Sequence, residues 1–324
     1  MSRVVVPYAL WPDPQALATH SSLLSVSALP GVSAWWRRAH ALPTPLPRPA
    51  PRLSMPHEWM QAQAGGGAPV DGLLPWAALA AAQAGHAHAG DGSAWGFVTL
   101  CHWQVSHGLA TLTDPADLAL DDATDAALFE AMHGFFAEDG LSLRRWQPGV
   151  WLVRAPMLAH LPTAALPRVV GQDVEAWWVG GDRPSPEAAL WRRLQNEMQM
   201  LLYTHPVNAQ RRVPVNSFWL HGTGAMPMQL PAPADALPAP VQSALQALQQ
   251  TAWQHDLSGW CHAWQALDRA IDWSRVERLC LCGWHEVRLY QRGGSAWQRW
   301  WRAWQDPRWV QQWAEAVDTD GAAA

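Results

Sequence analysis

The residues whose types and spacing could do chemistry gather between Asn208 and Gly224. Asn208 and Arg211 share a polar loop, and an arginine fork beside an amide suits a phosphate or a carboxylate. The plainer account is a capping asparagine and a surface arginine. Asn216 lies in the apolar stretch that follows, where it suits a buried anchor for neighbouring loops better than a ligand contact. Ser217 is a nucleophile by type only, because no base is positioned near it. Gly222 and Gly224, in Gly222-Thr223-Gly224, mark a sharp exit from that stretch. Ligand sites of α/β folds collect at such strand ends.

Other candidates have ordinary explanations. His86 and His88 form H-x-H, which would point both rings one way on a strand, but they stand in an alanine- and glycine-rich loop. His102 and His107 flank a strand end, where surface histidines are the default. Cys280 and Cys282 share one face of a strand; without a second pair they read as buried thiols rather than a zinc site. Glu197, next to Met198 and near Met200, suits a structural ion pair with an arginine.

The elements that must position these residues follow from periodicity. Ser185 can cap a helix that Pro186 begins. Leu190, Leu194, Met198 and Leu201 then recur on one face until His205-Pro206 stops it. Val215 to Leu220 reads as a strand. Upstream, Val4–Val6 is a short strand and 21–40 holds one or two helices interrupted at Pro30-Gly31. The proline-rich run at 43–52 is an extended linker. A helix is expected over 73–84, a strand over 95–104 with a hairpin partner at 108–112, and a helix over 122–139. Strands at 141–146 and 149–154 pair around Gln147-Pro148. Downstream, 241–265 is helical, 278–282 is a buried strand and 284–291 continues or pairs with it. The tryptophan-rich run from Trp297 to Trp313 has helical spacing.

Composition excludes several classes. The 324 residues can bury a large core, and no apolar run approaches the length of a membrane span. The apolar run at the N-terminus is broken by Pro7 and is too short for a signal peptide, which places the chain in the cytoplasm. Four cysteines in so long a chain do not make a disulfide framework. A net charge of −5 argues against a nucleic-acid surface. No lysine occurs anywhere, which removes Schiff-base chemistry and the phosphate-loop lysine together. Of the 24 tryptophans, eleven lie between Trp253 and Trp313.

The segments NEMQMLLYTHPVN (196–208) and PVNSFWLHGTG (214–224) resemble the bacterial RpfE-type regulatory family, whose members are often labelled cofactor-independent phosphoglycerate mutase-like. CHWQVSHGLATLTDPADLAL (101–120) and LCLCGWH (279–285) fit the same family. The central part is also similar to the archaeal type of phosphoglycerate mutase, which has an asparagine, an arginine and a P-x-N strand ending in glycines. Asn208, Arg211, Pro214, Asn216, Gly222 and Gly224 match that pattern, with a shorter loop between Arg211 and Pro214.

The resemblance implies an α/β fold: an alkaline-phosphatase-like core with a mixed, mainly parallel sheet flanked by helices, plus a small flanking α+β lobe. Residues 1–313 would form one phosphoglycerate mutase-like domain with an inserted lobe at 95–155, and 314–324 a disordered tail. It further implies two divalent metals on aspartates and histidines with a serine or threonine nucleophile. The chain departs where those ligands would stand. Pro7-Tyr8-Ala9 follows the first strand in place of an aspartate-glycine pair, and Cys282-Gly283-Trp284-His285 replaces a late D-x-H or D-H motif.

Three readings of function follow. The first is a regulatory protein without a metal site or cofactor, which binds a phosphorylated or carboxylate metabolite near Asn208 and Arg211. The second is a working mutase or phosphatase using Mn²⁺ or Mg²⁺, with rearranged ligands from His102, His107, His205, His221, His285 and Asp173. The third is a partner-binding protein that uses the tryptophan-rich C-terminal segment. None of them calls for nucleic acid or a membrane.

Overall fold

The computed structural model describes residues 3–180, 185–230 and 237–293. In chain order its strands and helices are β1 (Arg3–Val6), α1 (Pro14–Thr19), α2 (Pro30–Trp36), β2 (Ala39–Leu42), α3 (Pro56–Ala64), α4 (Trp76–Gln83), β3 (Ala94–Cys101), β4 (Trp103–Ser106) and β5 (Leu109–Leu112). Then come α5 (Asp122–Glu138), β6 (Ser142–Gln147), β7 (Val150–Arg154), α6 (Leu166–Val169), α7 (Pro186–Thr204), β8 (Ser217–Ala225), α8 (Ala239–Trp253), α9 (Leu257–Ala270), β9 (Arg278–Cys282) and β10 (Val287–Arg292). The fold is mixed α/β. The chain folds as two compact units, and the second (52–54 and 65–232) interrupts the sequence of the first (1–51, 55–64 and 233–324).

In the first unit a four-stranded sheet has the order β1-β9-β10-β2. β1 runs parallel to β9, with Val5 opposite Cys280, while β10 is antiparallel to both β9 and β2. Helices α8 and α9 form a hairpin. Its apolar faces, Ala244, Leu248 and Ala252 on one helix and Trp260, Trp264 and Leu267 on the other, are buried. The expected single helix over 241–265 is two. His255 takes a left-handed backbone (φ 54°), and the Asp256 carboxylate then caps α9 by accepting from the Gly259 N–H at 2.9 Å. The Asp268 carboxylate, buried at the far end of α9, accepts from Gly31 and Val32 at the start of α2. That contact explains why Pro30 opens a helix there rather than interrupting one.

In the second unit the sheet order is β6-β7-β3-β8 and every pairing is antiparallel. Alternation along β3 sends its two faces to different cores. Val98 and Leu100 pack under α5 and α7 with Leu128, Met132, Phe136, Trp191, Leu194 and Met198. Trp95 and Phe97 pack under the alanines of α4. β4 and β5 form a separate hairpin whose turn is His107-Gly108, both at positive φ. The segment 95–155 lies wholly inside this unit.

The expected mainly parallel sheet is corrected by this topology. β1 with β9 is the only parallel strand pair among the described residues. For β9 with β10 and β6 with β7 the reason is connectivity, since the short Gly283–Glu286 link and the turn between Gln147 and Val150 leave room only for antiparallel return. The tryptophan run 297–313 lies outside the described residues.

Candidate functional site

The motif lies where α7 hands the chain to β8. Ser185 caps α7 by accepting from the Ala188 N–H at 3.1 Å, and the stripe Trp191, Leu194, Met198 and Leu202 buries one face. Asn208 then bonds three main-chain groups. Its Nδ2 donates to Leu202 O (2.8 Å) and Val215 O (2.7 Å), and its Oδ1 accepts from the Val215 N–H (2.9 Å). The amide thus pins the end of the helix to the start of the strand, adding a second donor to a Leu202 carbonyl that already accepts from the His205 N–H.

Arg211 is held from two sides. Its Nε donates to Val213 O at 3.3 Å and its Nη2 to Leu118 O. Nη1 has no hydrogen-bond partner among the described residues. The Asp121 carboxyl nearby sits below the usual range, first through its bonds to Thr124 and more weakly through the Arg211 charge. Asn216 clasps Trp103 from both sides, accepting from its N–H at 2.7 Å and donating to its carbonyl at 2.9 Å. That pair bridges the break between β3 and β4, so Asn216 anchors the two segments, half-buried rather than buried.

Gly222 and Gly224 do not end the strand; they lie within β8, which runs on to Ala225. The register of β8 on β3 shifts between Trp95 and Phe97, which absorbs Gly222 at φ +62°. A Cβ there would stand 2.9 Å from the Phe97 ring, and one on Gly224 would stand 2.8 Å from Pro75. Both glycines therefore admit close neighbours. Ser217 Oγ is buried with no hydrogen-bond partner, and no base stands against it among the described residues.

Sequence reasoning missed a polar pair on the same sheet. Thr99 Oγ1 lies 2.8 Å from His221 Nε2, and the ring sits 5.3 Å from that of Phe97. Burial pulls the His221 pKa down to about 4, so the imidazole is neutral near pH 7. Thr99 also borders a shallow cavity of about 230 Å³, walled by Pro115, Ala119, Leu120 and Gly149. Phe97 faces His221 and Thr99 faces Trp219, so Thr99 meets His221 diagonally across the strand pair, a pairing that spacing alone does not reveal.

The remaining candidates disperse. His102 Nδ1 donates to Pro214 O, His205 Nδ1 accepts from the Val207 N–H, and His107 forms the exposed hairpin turn. His86 and His88 are exposed, and Asp173 accepts from the Glu175 N–H. Glu197 pairs with Arg193 at 3.7 Å on the surface of α7. Among the described residues no three His, Cys, Asp or Glu side chains group so as to hold a metal ion.

The C-terminal ends of the parallel pair β1 and β9 are where the resemblance implies metal ligands. Tyr8 stands after β1, buried, with its ring against those of His57 (5.3 Å), Trp253 (6.3 Å) and Trp284 (5.4 Å). Its carbonyl accepts from Trp260 Nε1 at 2.7 Å, and its φ of +54° is the left-handed region that a bulky residue rarely adopts. Of these rings only the His57 imidazole is of a metal-ligating type, and no three His, Cys, Asp or Glu side chains group around it among the described residues, which does not fit a two-metal centre.

No family model matches the chain, and no curated protein matches it. Two solved structures are similar to it over most of their length. One is a cofactor-independent phosphoglycerate mutase from Thermoplasma acidophilum DSM 1728, with 12% identity, 90% of each chain covered and a TM-score of 0.36. The other is the PH0037 protein from Pyrococcus horikoshii, with 11% identity, 90% of this chain and 87% of that one covered, and a TM-score of 0.41.

Proposed function

We propose that this chain is a regulatory, phosphoglycerate mutase-like protein of the RpfE type, built on an alkaline-phosphatase-like core, that binds a phosphorylated or carboxylate metabolite without turning it over. The observation that carries this reading is the engagement of the motif side chains. Asn208 and Asn216 are committed to main-chain groups, so they hold the scaffold. Arg211 is oriented by two carbonyls and keeps Nη1 for an anion. A guanidinium fixed in this way loses little side-chain freedom on binding, which favours a planar oxyanion. Rings rather than acids at the ends of β1 and β9 support binding without chemistry.

The test is a calorimetric titration of the full chain with 3-phosphoglycerate, for wild type and Arg211→Ala. Saturable binding that weakens at least about tenfold in the variant, the scale of one charge-assisted contact, supports the reading. Absence of binding, or equal binding by both chains, rejects Arg211 as the contact.

A further inference from the structure

Beyond that reading, we propose that Cys280, Cys282 and Met60 form a buried, all-sulfur site for a soft monovalent cation of the copper(I) class. The two cysteines alternate on β9, so their thiols share one face of the sheet, and their Sγ atoms lie 3.7 Å apart. Taking the zinc–thiolate distance of about 2.3 Å as a yardstick, sulfurs at that spacing subtend about 107° at a shared ion. That angle is too sharp for a linear two-coordinate ion and asks for at least a third ligand. Met60 of α3 supplies a thioether in the same buried cluster, whose other members are Val287 and the partly buried Val5, Leu46 and Leu289.

The ligand chemistry selects the ion. Thiolate with thioether is a soft donor set, whereas zinc would need four nitrogen, sulfur or oxygen donors that this apolar shell does not offer. Charge agrees as well. Binding releases one proton from each thiol and leaves a dithiolate–copper(I) unit with one negative charge. Arg3 on β1 lies against Cys280 and supplies the compensating positive charge. Its Nε–H is buried and has no hydrogen-bond partner among the described residues.

The experiment uses the full chain, anaerobically, with copper(I) offered through a chromophoric copper(I) chelator and silver(I) as a redox-inert second probe. The ions are added to the folded chain and, in parallel, during refolding. One ion retained per chain is expected, lost in Cys280→Ala and in Cys282→Ala, and held about tenfold more weakly by Met60→Leu. Cys101→Ala/Cys261→Ala should retain it. X-ray absorption on the copper-loaded wild type gives a readout that no variant's folding can confuse, and a shell of three sulfurs is expected. Failure to retain either ion by both routes overturns the proposal, as does retention by the Cys280→Ala/Cys282→Ala chain or a shell containing nitrogen or oxygen.

Discussion

The first unit places rings at the ends of the parallel pair β1 and β9, while the second gathers amide, guanidinium and hydroxyl groups around the edge strand β8 of an antiparallel sheet. Strand ends of a parallel pair are the favoured position for ligands in α/β folds. Here aromatic rings fill the favoured position, and the amides of the second unit are engaged with main chain. The contrast teaches that a motif rich in Asn and Arg can serve as a clasp. Whether it contacts a ligand depends on the donors left over, and Arg211 Nη1 is such a donor.

The largest effect that could break this contrast is in the first unit. Tyr8→Ala removes a fully buried ring packed among three others and should cost about 3–5 kcal/mol in chemical denaturation. A loss below about 1 kcal/mol would mean that the ring cluster is loosely packed. In the second unit, Asn208→Ala strands Val215 O and the Val215 N–H and takes one of two donors from Leu202 O, for a loss of about 2–3 kcal/mol. Metabolite affinity in that variant should stay near wild type wherever the chain remains folded, and a selective loss of binding would make Asn208 a ligand contact instead.

A pH effect comes next. The folded pKa of His221 is about 4, below the ordinary 6.5, so between those values the unfolded chain takes up a proton that the folded chain refuses. Its contribution is complete above pH 6.5 and is lost as pH falls through 4, and it amounts to about 2–3 kcal/mol. Urea midpoints of wild type and His221→Gln across that window check this, and the variant should lose the slope. Gly224→Ala drives a Cβ into Pro75 and should cost about 1–3 kcal/mol. The smallest stability effect is expected of Arg211→Ala, about 1 kcal/mol, alongside the larger loss of anion affinity.

Much of this was legible in the sequence. Capping by Ser185, the apolar stripe of α7 and the proline at His205-Pro206 gave that helix both its ends. The strand pair at 142–154 followed from alternation around Gln147-Pro148, whereas the strand expected over 95–104 breaks at His102, so Leu109–Leu112 pairs with Trp103–Ser106 and not with β3. What spacing could not show was pairing. Sheet direction depends on which strands meet, and the pairing of β8 with β3 sets His221 diagonally against Thr99. The break at His255 escaped notice because no glycine or proline marks it. At the site, residue types identified Asn208, Arg211 and Asn216 but not their partners, which are carbonyls and N–H groups present at every position of a chain.

The central claim is that the motif serves structure and binding rather than turnover. A coupled assay for interconversion of 3- and 2-phosphoglycerate, run on the full chain with and without Mn²⁺ or Mg²⁺, tests it most directly. The account predicts no turnover above the protein-free rate with either metal. Metal-dependent turnover that disappears in Arg211→Ala would contradict it and make the motif a working catalytic site.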